Sequence, residues 1–317
     1  YSIVVDLVDE DGTHTNAGTL ALTVNIPPDG VSLNVGGDTL LNEGEDFTRT
    51  ITFTDGDDVG SDGWSYSIDW DDGTAAQTGT IAPGQSSFDI SHTFADGNAS
   101  HTVNVTVTDD VGDNDSQSFV LDVTNVAPTI ALSGASTIDE GALYTLNLGA
   151  ITDPGEDTVT QYTVDWGDGT SEITHSAGDL THSYADDGDY SIVVDLVDED
   201  GTHTNAGSKS VSVNNVAPIL TLGGAGAVNE GSLYTLSLLT LVDPGDDTVS
   251  NYAINWGDGS AVDNVASLGD VTHTFADGNA SYTVTVTATD DDGSYDFTHA
   301  VDVTNVAPTI ALSGAST

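Results

Sequence analysis

Residues 163–170 read TVDWGDGT. Alternate side chains of a β-strand point the same way, so Tyr162, Val164 and Trp166 share one face while Thr163 and Asp165 share the other. A tryptophan that closes an apolar alternation is a core position, and its burial contributes roughly 2–3 kcal/mol. Asp168-Gly169 follows at once. Asp-Gly marks a tight turn, because glycine tolerates positive φ and the aspartate side chain bonds its own backbone. The stretch therefore reads as a core anchor followed by a turn, rather than as a carboxylate active site. It also recurs, as SIDWDDGT at 67–74 and AINWGDGS at 253–260.

Other markers recur with it. NVAP begins at Asn125, Asn215 and Asn305; Glu-Gly occurs at Glu43, Glu140 and Glu230; a His-Thr-Phe or His-Ser-Tyr triplet begins at His92, His182 and His273. Self-similarity at a fixed period signals a repeat architecture. The period places three complete repeats at 26–125, 126–215 and 216–305, with 1–25 as the end of a preceding repeat and 306–317 as the start of a following one. Residues 1–18 repeat 190–207 without a change, and 305–317 repeat 125–137 likewise. The chain is thus expected to be a window from a longer array of little-diverged repeats. Within the second repeat, YTLNL, QYTVDW, LTHSY, YSIVVDLV and KSVSVN alternate or are rich in β-branched residues, and Gly, Pro, Asp and Asn separate them. The expected fold class is all-β: tandem immunoglobulin-like sandwiches of seven strands, arranged linearly.

Charge narrows the function classes. There are 52 acidic residues against two basic ones, Arg49 and Lys209, for a net charge of −50. Such a polyanion should avoid nucleic acid, and it has no apolar run of membrane-spanning length. It attracts cations. With no cysteine, it has no disulfides.

The combination of DWGDG, the later THSYADDGDYSIVVDLVDEDG and the linker NNVAP resembles the polycystic kidney disease (PKD) repeat over nearly the whole chain. The nearest likeness is to tandem copies in very large secreted bacterial and archaeal surface proteins. The resemblance implies a seven-stranded sandwich serving as spacer, adhesion or carbohydrate-associated module. It also implies calcium near the start of some bacterial modules. The first repeat departs most, with IPPDG at its opening, DWDDG for DWGDG and extra residues around Gly60 and Gly63.

Chain direction in a sandwich gathers three elements at the leading end of the second repeat: the linker 125–128, the loop DPGED (153–157) and the loop DEDG (198–201). The trailing end gathers STIDEG (136–141), GDG (167–169) and ADDGD (185–189). Stacking repeats head to tail brings acidic loops together. Two like charges 4 Å apart repel by about 1 kcal/mol in water and about 4 at an effective dielectric of 20, so a cation or protonation is required. Hard oxygen ligands favour Ca²⁺. The candidate ligands are Asp153, Asp157, Asp198 and Asp200 in the second repeat and Asp243, Asp247, Asp290 and Asp292 in the third. Asp55, Asp57, Asp109 and Asp113 are the nearest matches in the first. The usual DxDG loop of the family is DPGED here, and the spacing is not an EF-hand, which needs an acid at its twelfth position. Two other readings stay open: solvated turn aspartates, and an acidic surface adapted to salt.

No nucleophile elbow, Walker loop or dinucleotide fingerprint occurs. The recurring histidines read as structural, since a catalytic residue needs no copy in every repeat. Four sequons, at Asn98, Asn104, Asn114 and Asn279, are weak signals for glycans. The sequence thus predicts a non-enzymatic structural array, extracellular or on the cell surface, as a stalk, fibre, filament or surface-layer subunit with cation-stabilised joints. Its expected partners are neighbouring repeats, further copies of itself in filaments, and polysaccharide. The alternative is a spacer or a carbohydrate-associated accessory or adhesin module of a larger secreted protein.

Overall fold

The alternation that ends at Trp166 does form a strand. Gln161–Asp165 alternates half-buried and buried positions, with Val164 at 0% exposure, and Trp166 beyond it is 2% exposed. A computed structural model describes residues 2–21, 30–56, 63–110 and 112–311 of the chain. Among them every regular element is a β-strand.

The second repeat is a sandwich of two sheets. One has three strands, with Leu143–Thr152 between Thr129–Gly134 and Gly178–Ser183. The other has five, in the spatial order Thr137–Asp139, Thr202–Asn214, Gly188–Val197, Gln161–Asp165, Ser171–Thr174. Its first strand is split. Thr129–Gly134 pairs antiparallel in the small sheet, and Thr137–Asp139 crosses over to run parallel to the end of Thr202–Asn214. With the two halves counted as one, the repeat has the seven strands expected. Packing is close where the strand leaves the small sheet: a Cβ on Gly134 would stand 2.5 Å from the Tyr144 hydroxyl and 2.8 Å from the Thr145 carbonyl oxygen. The third and first repeats have the same two-sheet arrangement. Each sandwich holds its own apolar core.

Trp70, Trp166 and Trp256 sit at equivalent core positions, at 2%, 2% and 0% exposure. Each motif has a second function beyond anchoring. Asp168 Oδ1 accepts from the Thr170 N–H (2.9 Å) and hydroxyl (2.6 Å), closing the turn. Its Oδ2 lies 2.7 Å from His182 Nε2, and the imidazole stacks on Trp166 with centroids 4.6 Å apart and planes 10° off parallel. His92 and His273 repeat this arrangement with Trp70 and Asp72, and with Trp256 and Asp258. The recurring histidine is therefore a lid on the indole, fixed by the turn aspartate. In the first repeat Asp71 occupies the glycine position of the turn at φ 60. Its own side chain offsets the strain by accepting the Thr102 N–H at 2.9 Å.

This arrangement carries a pH dependence. Burial raises the Asp258 carboxyl, but hydrogen bonds from the Ser260 hydroxyl, His273 and the Ser260 N–H outweigh it and hold the group at about 2. A depressed carboxyl stabilises the fold above its unfolded value near 4, and that contribution is lost as pH falls toward 2. Asp258→Ala is expected to cost about 2 kcal/mol at pH 6. The gap to the wild type should narrow steadily between pH 4 and pH 2. Urea denaturation at pH 6, 4, 3 and 2 reads it out, and a gap independent of pH would refute the assignment.

By contacts the chain divides into two units, Tyr1–Ala127 with Asp153–Thr158, and Pro128–Thr152 with Val159–Thr317. The second and third sandwiches thus belong to one unit. The first unit holds the first sandwich and a hairpin of Ser2–Asp9 with Gly12–Ala21, exposed throughout.

Candidate metal centre

Within the second unit, the trailing end of the second repeat meets the leading end of the third. The parallel pairing of Thr137–Asp139 with Thr202–Asn214 carries Glu140 to this end, and its N–H bonds the Asn214 carbonyl at 3.0 Å. Its side chain folds under the linker. Oε1 accepts the Val216 N–H at 2.6 Å, while Oε2 is buried without a hydrogen-bond partner. The residue is 1% exposed.

The cover over Glu140 is the loop 243–248 of the third repeat. A Cβ on Gly245 would lie 2.8 Å from the Glu140 carboxyl carbon, so only glycine lets the loop lie flat on the carboxylate. From the other side, a Cβ on Gly141 (φ 68) would stand 2.5 Å from the Pro244 carbonyl. The Asp246 N–H bonds the Ala185 carbonyl at 2.8 Å. The linker is held as well: Asn215 Nδ2 donates to Asp292 Oδ2 at 2.9 Å, and the Tyr295 hydroxyl donates to Asn215 Oδ1 at 3.2 Å.

Carboxylates converge on this joint. Oxygens of Glu140, Asp243 and Asp247 lie within 4.8 Å of one another, as do those of Asp186, Asp247 and Asp292. Asp247 belongs to both groups, and its Oδ2 is buried without a hydrogen-bond partner. Burial, then the charges of Glu140, Asp292, Asp243 and Asp291, push Asp247 up to about 7. Burial likewise raises Glu140 against the pull of the Val216 N–H, with Asp243, Asp187 and Asp292 adding to the rise. Asp243 is raised by burial and then by Asp290, Asp292 and Asp291, despite the Gly245 amide.

No basic residue answers these charges. Arg49 stacks over Phe119 at 4.0 Å and donates to the Val35 carbonyl, both in the first sandwich. Lys209 lies in the strand Thr202–Asn214, opposite Ile192. The ion pairs found among the described residues all join a histidine to an aspartate. A convergence of oxygen donors with unsatisfied lone pairs and no counter-cation is chemically suited to a hard divalent ion such as Ca²⁺, which takes six to eight oxygens in flexible geometry.

The structure distributes the twelve candidate aspartates unevenly. Asp243, Asp247 and Asp292 fall in the two groups just described. Asp290 is turned inward: it is 8% exposed, and its Oδ1 accepts the N–H groups of Asp292 and Gly293 at 3.1 and 2.8 Å, closing its own loop. Asp198 does the same for Asp200 and Gly201 at 3.0 and 3.1 Å, and its Oδ2 lies 2.7 Å from His203 Nε2. Asp200 beside it is half-buried. In the first unit, Asp153 accepts the Gly155 N–H at 3.3 Å, and Asp157 accepts from Asn125 Nδ2 at 3.4 Å. Asp109 is spent on its loop, taking the N–H groups of Gly112 and Asp113 at 2.7 Å each. Among the described residues no group of three carboxylates includes Asp55, Asp109 or Asp113, and Asp57 lies outside the described residues.

Two members of the joint are not among the twelve candidates: chain direction placed the segments of Glu140 (136–141) and Asp186 (185–189) at the trailing end but singled out no ligand in them. The usable signal was the strict recurrence of glutamate, rather than aspartate, before glycine at 43, 140 and 230: only the longer side chain reaches the linker amide. The first unit shows the same construction. Glu43 is 0% exposed, its Oε1 accepts the Val126 N–H at 2.7 Å, and a Cβ on Gly155 would stand 2.8 Å from its carboxyl carbon.

The sequence profile of the PKD domain matches residues 125–213 and 215–305, more than half of the chain. No curated protein matches it. Among solved structures, extracellular domains 3–5 of Drosophila OTK align over 90% of this chain and all of that one, at 9% identity and a TM-score of 0.31. Fibronectin(III)-like modules of Clostridium thermocellum CbhA cover 58% of this chain and all of that one, at 17% identity and a TM-score of 0.25. SGBP-B of Bacteroides ovatus, solved with a mixed-linkage heptasaccharide, covers 90% of this chain and 70% of its own, at 18% identity and a TM-score of 0.22.

Proposed function

Since the chain belongs to the PKD domain family, we propose that it is a structural element outside the cell: a run of sandwiches whose joints are held by calcium. Tandem sandwiches of this kind fit an extracellular structural or accessory module, and arrays of them are typically non-catalytic. One observation carries the reading further. At the joint of the second and third repeats, five carboxylates, those of Glu140, Asp186, Asp243, Asp247 and Asp292, converge around buried oxygens with no cation of the protein's own to balance them. A free-standing turn aspartate faces water. These face each other, an arrangement that persists only with external positive charge or with protonation.

Calcium fits the setting, being a hard cation matched to carboxylate oxygens. In this role the sandwich cores supply stiff bodies, and the proline-containing linker limits bending. The head of the third repeat offers oxygens of Asp243 and Asp247 in one group and of Asp247 and Asp292 in the other. The same construction at other joints makes the array extensible, as a stalk, as a filament subunit, or as the spacer of a larger secreted protein.

Thermal unfolding tests this. Calcium at a hundredfold excess over its dissociation constant is expected to add about 2.7 kcal/mol per site, and so to raise Tm relative to chelator. Magnesium, which demands tighter octahedral geometry, should substitute poorly. If sodium chloride at equal ionic strength reproduces the calcium effect, the response is screening and the sites do not exist.

A further inference from the structure

The glutamate of the upstream repeat is built to do more than brace the linker. Glu140 uses one oxygen on the Val216 N–H at 2.6 Å and leaves Oε2 buried, without a hydrogen-bond partner and in one group with Asp243 and Asp247. A side chain 1% exposed does not leave a carboxylate oxygen unsatisfied without cost. An orphaned buried acceptor costs about 1–3 kcal/mol, more when charged. We propose that Glu140 is itself a calcium ligand through Oε2, so that the ion is shared between two repeats rather than belonging to the third alone. This rests on the reading of the joint as a cation site.

A comparison within the chain supports it. Glu230 has the same position and the same clamp, accepting the Val306 N–H at 2.8 Å. Yet Glu230 is only half-buried, and a Cβ on the following Gly231 would meet nothing within 4 Å. The clamp is thus the same at both glutamates, and at Glu140 the loop that carries Asp243 and Asp247 covers the carboxylate. The second oxygen of Glu140 is enclosed where the oxygens of Asp243 and Asp247 arrive with it. An ion bound there has donors from both sides of the joint, so releasing it and separating the repeats become one event.

The test is Glu140→Gln in the full chain. Glutamine keeps the acceptor for the Val216 N–H and nearly the same volume but removes the charge, so the clamp survives while a calcium ligand is weakened. Calcium titrations followed by the backbone amide signals of Val216 and Gly245 report on this joint alone. The wild-type midpoint is expected to shift to at least about tenfold higher calcium in the variant, since affinity follows the number of charged ligands. Glu230→Gln should leave that midpoint in place. An unchanged midpoint in Glu140→Gln, with the fold intact in chelator, would show Glu140 to be a clamp only and overturn the inference. The cation reading itself fails, and this inference with it, if the wild type shows no calcium response at these amides.

Discussion

Trp166→Ala is expected to destabilise the second sandwich by about 3–5 kcal/mol, the usual cost of removing a large aromatic from a core. The indole is 2% exposed. It lies edge-on to Tyr144 at 6.5 Å and face-on to His182 at 4.6 Å. The buried Tyr184 hydroxyl donates to the Trp166 carbonyl at 3.1 Å. Truncation thus opens a cavity, strips the stacked face from His182 and loosens the partner of Asp168. A single domain has only about 5–15 kcal/mol in hand, so the second sandwich should melt at clearly lower urea than the rest. Far-UV circular dichroism should show a split or early transition. Fluorescence of the three remaining tryptophans, Trp64 and Trp70 in the first core and Trp256 in the third, reports how far the loss spreads. A variant with the wild-type midpoint would mean that the motif is not a core anchor.

Asp247→Asn is expected to change sign with the metal. At pH 8 with chelator, Asp247 is a charge among Glu140, Asp243, Asp186 and Asp292. Burial and the charges of Glu140, Asp292, Asp243 and Asp291 already push its carboxyl to about 7, which means that the folded state resists its ionisation. Removing that charge should therefore stabilise the metal-free protein, by an amount on the order of 1–2 kcal/mol once screening reduces the pair terms. With calcium in excess the same substitution removes a shared ligand and should destabilise by a similar or larger amount. Melting curves of the two proteins, each with calcium and with chelator, give four numbers. Two shifts of the same sign would eliminate the cation centre, because a merely structural aspartate does not know whether calcium is present.

The sandwiches were legible because tertiary structure here obeys local rules. The alternation through Tyr162, Val164 and Trp166 needed no long-range information, and Asp168-Gly169 named its turn outright. The split of the first strand was not legible. Where the strand leaves the small sheet Gly134 lies against the Tyr144 hydroxyl, a contact between residues ten apart whose closeness no periodicity encodes. The joint was half legible. Chain direction nominated Asp243, Asp247 and Asp292, because loops at one end of a sandwich must meet. It could not separate aspartates that face the joint from those, such as Asp290 and Asp109, that curl back on their own amides. It placed the segment of Glu140 at the trailing end but did not single out that residue, whose importance lies in reach: a glutamate spans from the strand end to the linker of the next repeat, 76 residues on.

One hairpin occurs twice, with the same sequence through 1–18 and 190–207. In Ser2–Asp9 with Gly12–Ala21, Val5 pairs with Gly18, the register slips, and Leu7 pairs with His14; Val194, Gly207, Leu196 and His203 repeat this step for step. Asn16 and Asn205 take the same left-handed turn and give their N–H to Asp6 and Asp195, each at 2.8 Å. Yet Ile3, Val5 and Leu7 are about half exposed in the first copy, whereas Ile192, Val194 and Leu196 are at 0% in the second. The same side chains thus take the same register in both places. Such hairpins are interchangeable parts. The copy two repeats upstream offers the second sandwich the same side chains through Gly207, whereas the adjacent third repeat offers different ones, so exchange between identical copies is the error the core distinguishes least. In a chain of near-copies that distinction falls to order of synthesis and to linker length, and lengthening a linker should raise the fraction of exchanged, intertwined molecules.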